Sequence, residues 1–302
     1  MKINLITLQR FTGYYLMLLP TFVLLSIFNF IPFFWAFSKS FYEFEIGEEA
    51  TFVGFANYLE YFNDPTFILS FGNMLFLTLC AVIITIIFPL TIAKLIFSLS
   101  SDRARYIYRI VFLVPIVVPA VAIQMIWGSM IYSDQGFLNE FLRLIGLGNL
   151  TTGWLSNPRS VLWAIVFIGF PWANGITILI YYAGFANIPV SVHEAAELDG
   201  AIGIRKFFLI DIPLIMSQVK LLVILTVIAG IQGFENIFIL TRGGPGFKSM
   251  VPGLWMYFNA FSFQKMGTAC AIGVILFLLI LVLTLLNLKY FKTSERIQGV
   301  VR

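Results

Sequence analysis

The stretch Ser191–Ile215, "SVHEAAELDGAIGIRKFFLIDIPLI", carries the densest set of polar groups in an otherwise apolar chain. Ser191 followed three residues later by Glu194 has the spacing of a capping box: the hydroxyl accepts from the Glu194 N–H, and the carboxylate reaches back to the Ser191 N–H. Val192, Ala195, Ala196 and Asp199 then recur at helical spacing, and Gly200 is a natural stop in the left-handed conformation. A second short helix is expected from Ile204 to Pro213, where the proline opens the next helix at a first-turn position. Small side chains at Ala195 and Ala196 let a partner approach the backbone closely. A helix lying on lipid carries a larger apolar face and basic flanks. These residues therefore favour docking against another protein, with a membrane-surface helix as the alternative.

Other constellations offer less chemistry. "RGGPGFKS" at Arg242–Ser249 superficially resembles a phosphate loop, but Phe247 separates Gly246 from Lys248, so the Gly-Lys-Ser/Thr spacing is broken. A turn touching a partner outside the membrane is expected there. His193 is the only histidine and has no nearby cysteine, which argues against a metal site. Cys80 and Cys270 each sit in an apolar run and read as small buried thiols. An integral-membrane enzyme or channel remains a rival class, supported only by Glu235 and Asp211.

The elements that must position these residues are membrane spans. Of 302 residues, 60% are hydrophobic and 11% charged, with a mean hydropathy of +0.93. That balance indicates a polytopic helical membrane protein. The net charge of +4 does not indicate nucleic acid, because the basic residues flank apolar runs. Six segments reach the roughly 20 residues a spanning helix needs. They are Tyr14–Phe37, Phe67–Phe97, Ile107–Tyr132, Val161–Phe185, Leu214–Leu240 and Met266–Tyr290. The first is too long for a signal peptide and carries Pro20 and Pro32, so it reads as retained. In the second, Pro89 and Lys94 suggest an inner end that bends or snorkels. Pro115 and Pro119 in the third are tolerable where neighbours re-satisfy the backbone.

Orientation follows the basic residues. One set of loops and ends holds Lys2, Arg10, Lys94, Arg103, Arg105, Arg109, Arg205, Lys206, Lys220, Lys289, Lys292, Arg296 and Arg302. The other holds Lys39, Arg143, Arg159, Arg242, Lys248 and Lys265, together with the acids Glu43, Glu45, Glu48 and Glu49. The first set is expected on the cytoplasmic side, with both termini there and the Ser191–Pro213 loop between the fourth and fifth spans. Those two spans carry small and polar residues within apolar runs: Trp172 and Asn174 on the fourth, and Thr226, Gly230, Gln232, Gly233, Glu235 and Asn236 on the fifth. An ionisable residue such as Glu235 in a span is a functional candidate. Close helix packing is the competing reading for Gly230 and Gly233, and interhelical hydrogen bonding for Asn174 and Asn236.

The pattern Glu194-Ala195-Ala196, Gly200 and Ile210-x-Ile212-Pro213 resembles the EAA signature of binding-protein-dependent ABC importer permeases, with Ile212 where leucine is usual. "AGFANIPVSVHEAAELDGA" and "FENIFILTRGGP" resemble the maltose-type carbohydrate permeases, although many relatives have Asp at Glu235. "FVGFANY", "DPTF" and "RIVFLVPIVVP" extend the similarity over nearly the whole chain. The resemblance implies an all-α, six-span type I importer fold. It implies an N-terminal helix and outer loop (1–66), a transmembrane core (67–291) with a coupling loop (191–213), and a cytoplasmic tail (292–302). Glu194, Ala195, Ala196, Asp199 and Gly200 would couple to a cytoplasmic ATPase dimer, which would hold ATP and Mg while this chain binds no cofactor. The further partners implied are a second homologous permease subunit, an extracytoplasmic binding protein and the lipid of a bacterial or archaeal cell membrane. The cargo implied is a sugar or oligosaccharide, with an amino acid or glycerophosphodiester as the alternative. Trp172, Asn174, Thr226, Gly230, Gln232, Gly233, Glu235 and Asn236, on the spans beside the coupling loop, would line its path, since sugar recognition uses aromatic faces with amides and carboxylates.

Overall fold

A computed structural model describes residues 5–45, 47 and 49–290. Glu48, Lys2, Lys292, Arg296, Arg302 and the expected tail 292–302 lie outside the described residues. Helix α1 (Leu5–Leu25) continues through a π-helical turn into α2 (Ile31–Lys39). A two-residue hairpin follows, with β1 (Tyr42–Glu43) antiparallel to β2 (Thr51–Phe52) and Tyr42 opposite Phe52. Next come α3 (Ala56–Asn63), the long α4 (Thr66–Phe97), α5 (Asp102–Leu113), α6 (Ala120–Met125), α7 (Phe137–Leu144), α8 (Val161–Phe167) and α9 (Gly175–Ala186). The polar stretch holds α10 (Val190–Leu198), α11 (Gly203–Lys206) and α12 (Ile212–Leu214). The chain ends with α13 (Met216–Gln232), α14 (Glu235–Leu240), α15 (Pro252–Phe261) and α16 (Met266–Tyr290).

Three described helical segments are long and apolar enough to cross a membrane unaided: Gly13–Lys39, Thr66–Phe97 and Met266–Asn287. The other three spans are broken. The third bends by 84° between Val117 and Ala120. Val118 is extended (φ −74°, ψ 123°) because the ring of Pro119 disfavours helical backbone before it. The fourth is interrupted between Phe167 and Gly175, around Gly169 and Pro171, and the fifth at Gly233–Phe234. The 70° bend after α9 is of another kind, because it turns the acidic α10 away from an apolar helix. The architecture is an all-α polytopic membrane fold of six spans, three of them discontinuous.

The chain divides into two compact units. The first comprises the residues up to Asp64 with Met256–Phe277. Its polar knot is Asn57, whose Nδ2 donates to the carbonyls of Ser40 (2.8 Å) and Tyr42 (2.9 Å). Glu60 accepts from Lys265 Nζ (2.6 Å) and Thr268 Oγ1 (3.0 Å). The second unit, Pro65–Trp255 with the residues from Leu278, contains the candidate site. Leu90, Ala93 and Ile96 of α4 pack there with Ile178, Tyr181 and Phe185 of α9 and with Ile215 and Leu222. Gly184 allows α9 to approach α13 closely, since a Cβ there would lie 3.2 Å from Ile215 and Gln218 atoms.

Candidate functional site: a cavity at broken spans and a polar helix

α10 starts two residues earlier than the capping-box reading requires. Pro189 (φ −58°, ψ 142°) is its N-cap residue, and no side chain caps the helix, so Ser191 lies inside the first turn. Proline fixes its own φ and starts the helix without needing a hydroxyl cap. The C-terminal expectation holds. Gly200 has φ +73°, its N–H donates to Glu197 O (3.1 Å), and Ala201 N–H donates to Ala196 O (2.8 Å). Those two bonds form a Schellman motif. The second helix is less regular than expected: α11 runs into a π-helical turn (Phe207–Asp211), and the fifth span begins at Met216 after a 71° bend. Pro213 therefore lies in the three-residue α12 rather than in the first turn of the span.

The faces of α10 are distinct. Glu194, Ala195, Asp199 and Gly200 are exposed, and Leu198 is 89% exposed. Ala196 is buried against its own chain, as Val192 and His193 are in part. Ala196 thus serves the internal seat of the helix, while the other four expected coupling residues point outward. Burial lowers the pKa of His193 below its ordinary 6.5, helped by the positive charge of Lys206. Lys94 does not snorkel into water. Its Nζ donates to the buried Asp211 carboxylate at 2.5 Å, and α4 runs unbroken through Pro89 to Phe97.

A cavity of about 630 Å³ opens where the fourth and fifth spans break. Six of the eight expected path residues line it: Trp172, Asn174, Gly230, Gly233, Glu235 and Asn236. Trp172 has φ +55°, and its Nε1 donates to Val166 O (3.0 Å). Its ring lies 4.6 Å from Phe88, 4.9 Å from Phe170 and 5.2 Å from Phe167. Asn174 caps α9, its Oδ1 accepting from Thr177 N and Oγ1 (both 3.1 Å). Asn236 is hydrogen-bonded to Gln124 of α6. Gly230 also packs closely, because a Cβ there would lie 2.5 Å from Thr78 Oγ1. Gly233 ends α13 in extended backbone (φ −70°, ψ 122°).

Two expected residues lie elsewhere. Thr226 does not line the cavity; its Oγ1 donates to Leu222 O (2.8 Å) and lies 3.3 Å from Thr85 Oγ1. Gln232 is exposed outside the lining. The wall that sequence reading missed is α4, which supplies Cys80, Ala81, Ile84 and Thr85. Thr78 and Thr85, seven residues apart in an apolar run, are the available signal. Among the described residues Glu235 is the only charged one in the lining.

The "RGGPGFKS" segment is a compact turn. Arg242, Gly243, Gly246 and Phe247 all have positive φ, and Ser249 Oγ donates to Gly244 O (2.6 Å). Asn73 of α4 anchors it, donating to the carbonyls of Lys248 (3.0 Å) and Met250 (2.8 Å). The N–H groups of Gly244, Lys248 and Ser249 donate within the segment and its start, to Thr241 O (2.9 Å), Pro245 O (3.0 Å) and Gly243 O (3.2 Å).

Comparison with known proteins gives concordant matches. The profile of the family "binding-protein-dependent transport system inner membrane component" matches residues 92–291. A probable ABC transporter permease, YurN of Bacillus subtilis, is 30% identical over 93% of this chain and 96% of its own. The arabinooligosaccharides transport system permease AraP of Bacillus subtilis is 29% identical over 80% of this chain and 76% of its own. A chain from the crystal structure of a bacterial alginate ABC transporter, in complex with alginate pentasaccharide-bound periplasmic protein, superposes with a TM-score of 0.80. It is 22% identical, with 96% of each chain covered.

Proposed function

This chain belongs to the family of binding-protein-dependent transport system inner membrane components, and on that premise we propose that it is one transmembrane half of an ATP-driven saccharide importer. The observation that carries the reading is the cavity at the helix breaks. Non-helical backbone at membrane depth is tolerated where it is buried in protein or lines a water-filled cavity. Here two interruptions, around Gly169–Asn174 and Gly233–Phe234, meet at one cavity. Its aromatic nest, amides and single carboxylate suit a polyhydroxylated ligand. An arabinooligosaccharide permease among the relatives supports sugar over amino acid or glycerophosphodiester.

In this proposal α10 docks on a cytoplasmic ATPase pair that holds ATP and Mg, and an extracytoplasmic protein delivers the cargo. A second permease subunit completes the path. Residues 1–66 form the leading helix and outer loop, 67–291 the transmembrane core and 292–302 a tail. The excess of Lys and Arg near α10 supports placing that end and both termini in the cytoplasm. The test is purification of the complex from its host, identification of co-purifying subunits, and measurement of ATP hydrolysis with a panel of saccharides. Stimulation by an oligosaccharide-loaded binding protein is expected. Stimulation only by amino acids or glycerophosphodiesters would overturn the cargo, and absence of any ATPase subunit would overturn the machine.

A further inference from the structure

Three elements of the second unit meet around one buried carboxylate. Asp211 closes the π-helical turn before α12, and its side chain is 1% exposed. Oδ2 is bonded to Lys94 Nζ of α4 at 2.5 Å, but Oδ1 has no hydrogen-bond partner. Directly facing it, 4.0 Å away, is Nδ1 of His193 on α10. Both ring nitrogens of His193 are buried and unpartnered among the described residues. The His193 ring lies 6.1 Å from Phe97, and Lys94 Nζ lies 5.5 Å from Phe97 and 5.4 Å from Phe185. Lys206 reaches from α11 to Glu197 of α10 at 3.0 Å. The charged groups around His193 are therefore Asp211, Lys94, Lys206 and Glu197.

An unmet acceptor and an unmet donor, both buried, stand about one ångström beyond hydrogen-bonding distance. A small slide of α10, or rotation of the imidazole, would satisfy both. A buried carboxylate cannot easily leave its cation, so Asp211 stays with Lys94 and α10 is the element free to shift. π-helical turns recur at functional sites because they displace one side chain from the regular helical register. Here the turn presents Asp211 to the two helices.

We propose that Lys94, Asp211 and His193 form a two-position junction that fixes α10 to α4, open in this structure and closed when α10 moves. Lys94 and Asp211 hold the fixed side, and His193 is the positioning residue on the moving side. The proposal rests on α10 being the docking helix. It adds that the motion of α10 reaches the spans through this contact as well as through the peptide chain.

The experiment uses the assembled complex, with subunit co-purification and ATPase stimulation by cargo-loaded binding protein as separate readouts. Single loss of Lys94 or Asp211 leaves a lone buried charge and endangers folding, so the pair is removed together as Lys94→Met with Asp211→Leu. The double variant is expected to assemble while stimulation falls roughly tenfold, within the range of coupling between contacting groups. His193→Leu should lose stimulation similarly and add nothing in the double background. His193→Gln, which keeps a neutral N–H donor, should retain most of it. Stimulation at the wild-type level in both the double variant and His193→Leu overturns the junction. If the double variant does not assemble, equal stimulation in His193→Leu and His193→Gln overturns it and a clear difference upholds it. A wild-type complex that shows no stimulation would instead remove the docking reading on which the junction rests.

Discussion

Gln124 and Asn236 hydrogen-bond through their carboxamides, joining α6 to α14 at one edge of the cavity. Each helix follows a break, α6 after Val118-Pro119 and α14 after Gly233-Phe234, so the bond ties together two segments that begin within the membrane. Gln124 is buried and its Oε1 has no partner, so its amide depends on Asn236.

Asn236→Ala should therefore act on both transport and packing. It leaves a buried amide unsatisfied, at a cost of about 1–3 kcal/mol. Uptake in cells should fall severalfold while subunits still co-purify, and Asn236→Gln should recover part of the activity. Uptake unchanged in Asn236→Ala would leave this pair as packing alone.

Among the described residues Glu235 gives the cavity its only charge, with no Lys, Arg or His in the lining. A carboxylate on a cavity walled mainly by apolar side chains repels anions. The path should thus favour neutral saccharides over uronic acids, and Glu235→Gln should narrow that preference. Competition of neutral and acidic oligosaccharides for uptake measures it, and equal discrimination in both proteins would remove Glu235 from selection.

Gly200→Val isolates the turn that ends α10. A Cβ at Gly200 would meet nothing within 4 Å, so the cost is conformational rather than steric. A β-branched residue at φ +73° costs roughly 1–2 kcal/mol. That is small against the burial of six spans but enough to re-aim a nine-residue helix. Stimulated ATP hydrolysis should fall with assembly retained or with loss of the ATPase subunits alone. Glu194→Ala should act more weakly, because its side chain is exposed and makes no cap. Full stimulation in Gly200→Val would return α10 to a surface helix.

His193 supplies a pH dependence with a defined sign. Its folded pKa lies below 6.5, so the unfolded chain binds the proton more readily and stability rises with pH across that interval. The contribution is complete above 6.5 and is lost as pH falls through the lower folded value. Thermal unfolding of the complex between about pH 7.5 and 5 should show this loss, and His193→Gln should flatten it. An identical slope in both proteins would assign the dependence to other groups.

How much of this was legible in the sequence varied with the kind of physics involved. Long apolar runs announced six spans because hydropathy registers side-chain transfer. It does not register backbone geometry, so the interruption at Gly169–Asn174 went unread although Gly169 and Pro171 stand in it. Gly200 was legible because a left-handed helix end asks for glycine. The start of α10 was misread because Ser191 and Glu194 have capping spacing, while Pro189 had already begun the helix. Lys94 and Asp211 are 117 residues apart, and only the folded chain reveals that they neutralise one another. Six of the eight residues singled out on the fourth and fifth spans line the cavity, because polarity concentrates there. α4 was missed because its contribution consists of Cys80, Thr85 and apolar surface.

The native thiol of Cys80 offers the most direct test, because it lines the cavity and needs no engineered probe. In a Cys270→Ser background, the rate at which a small methanethiosulfonate modifies Cys80 would be measured in the assembled complex, with and without cargo-loaded binding protein and ATP. If the cavity is the saccharide path, Cys80 should react in at least one nucleotide state, cargo should slow the reaction, and modification should block uptake. A thiol that reacts at the same rate with and without cargo, in a complex whose uptake survives modification, would contradict the assignment of the path.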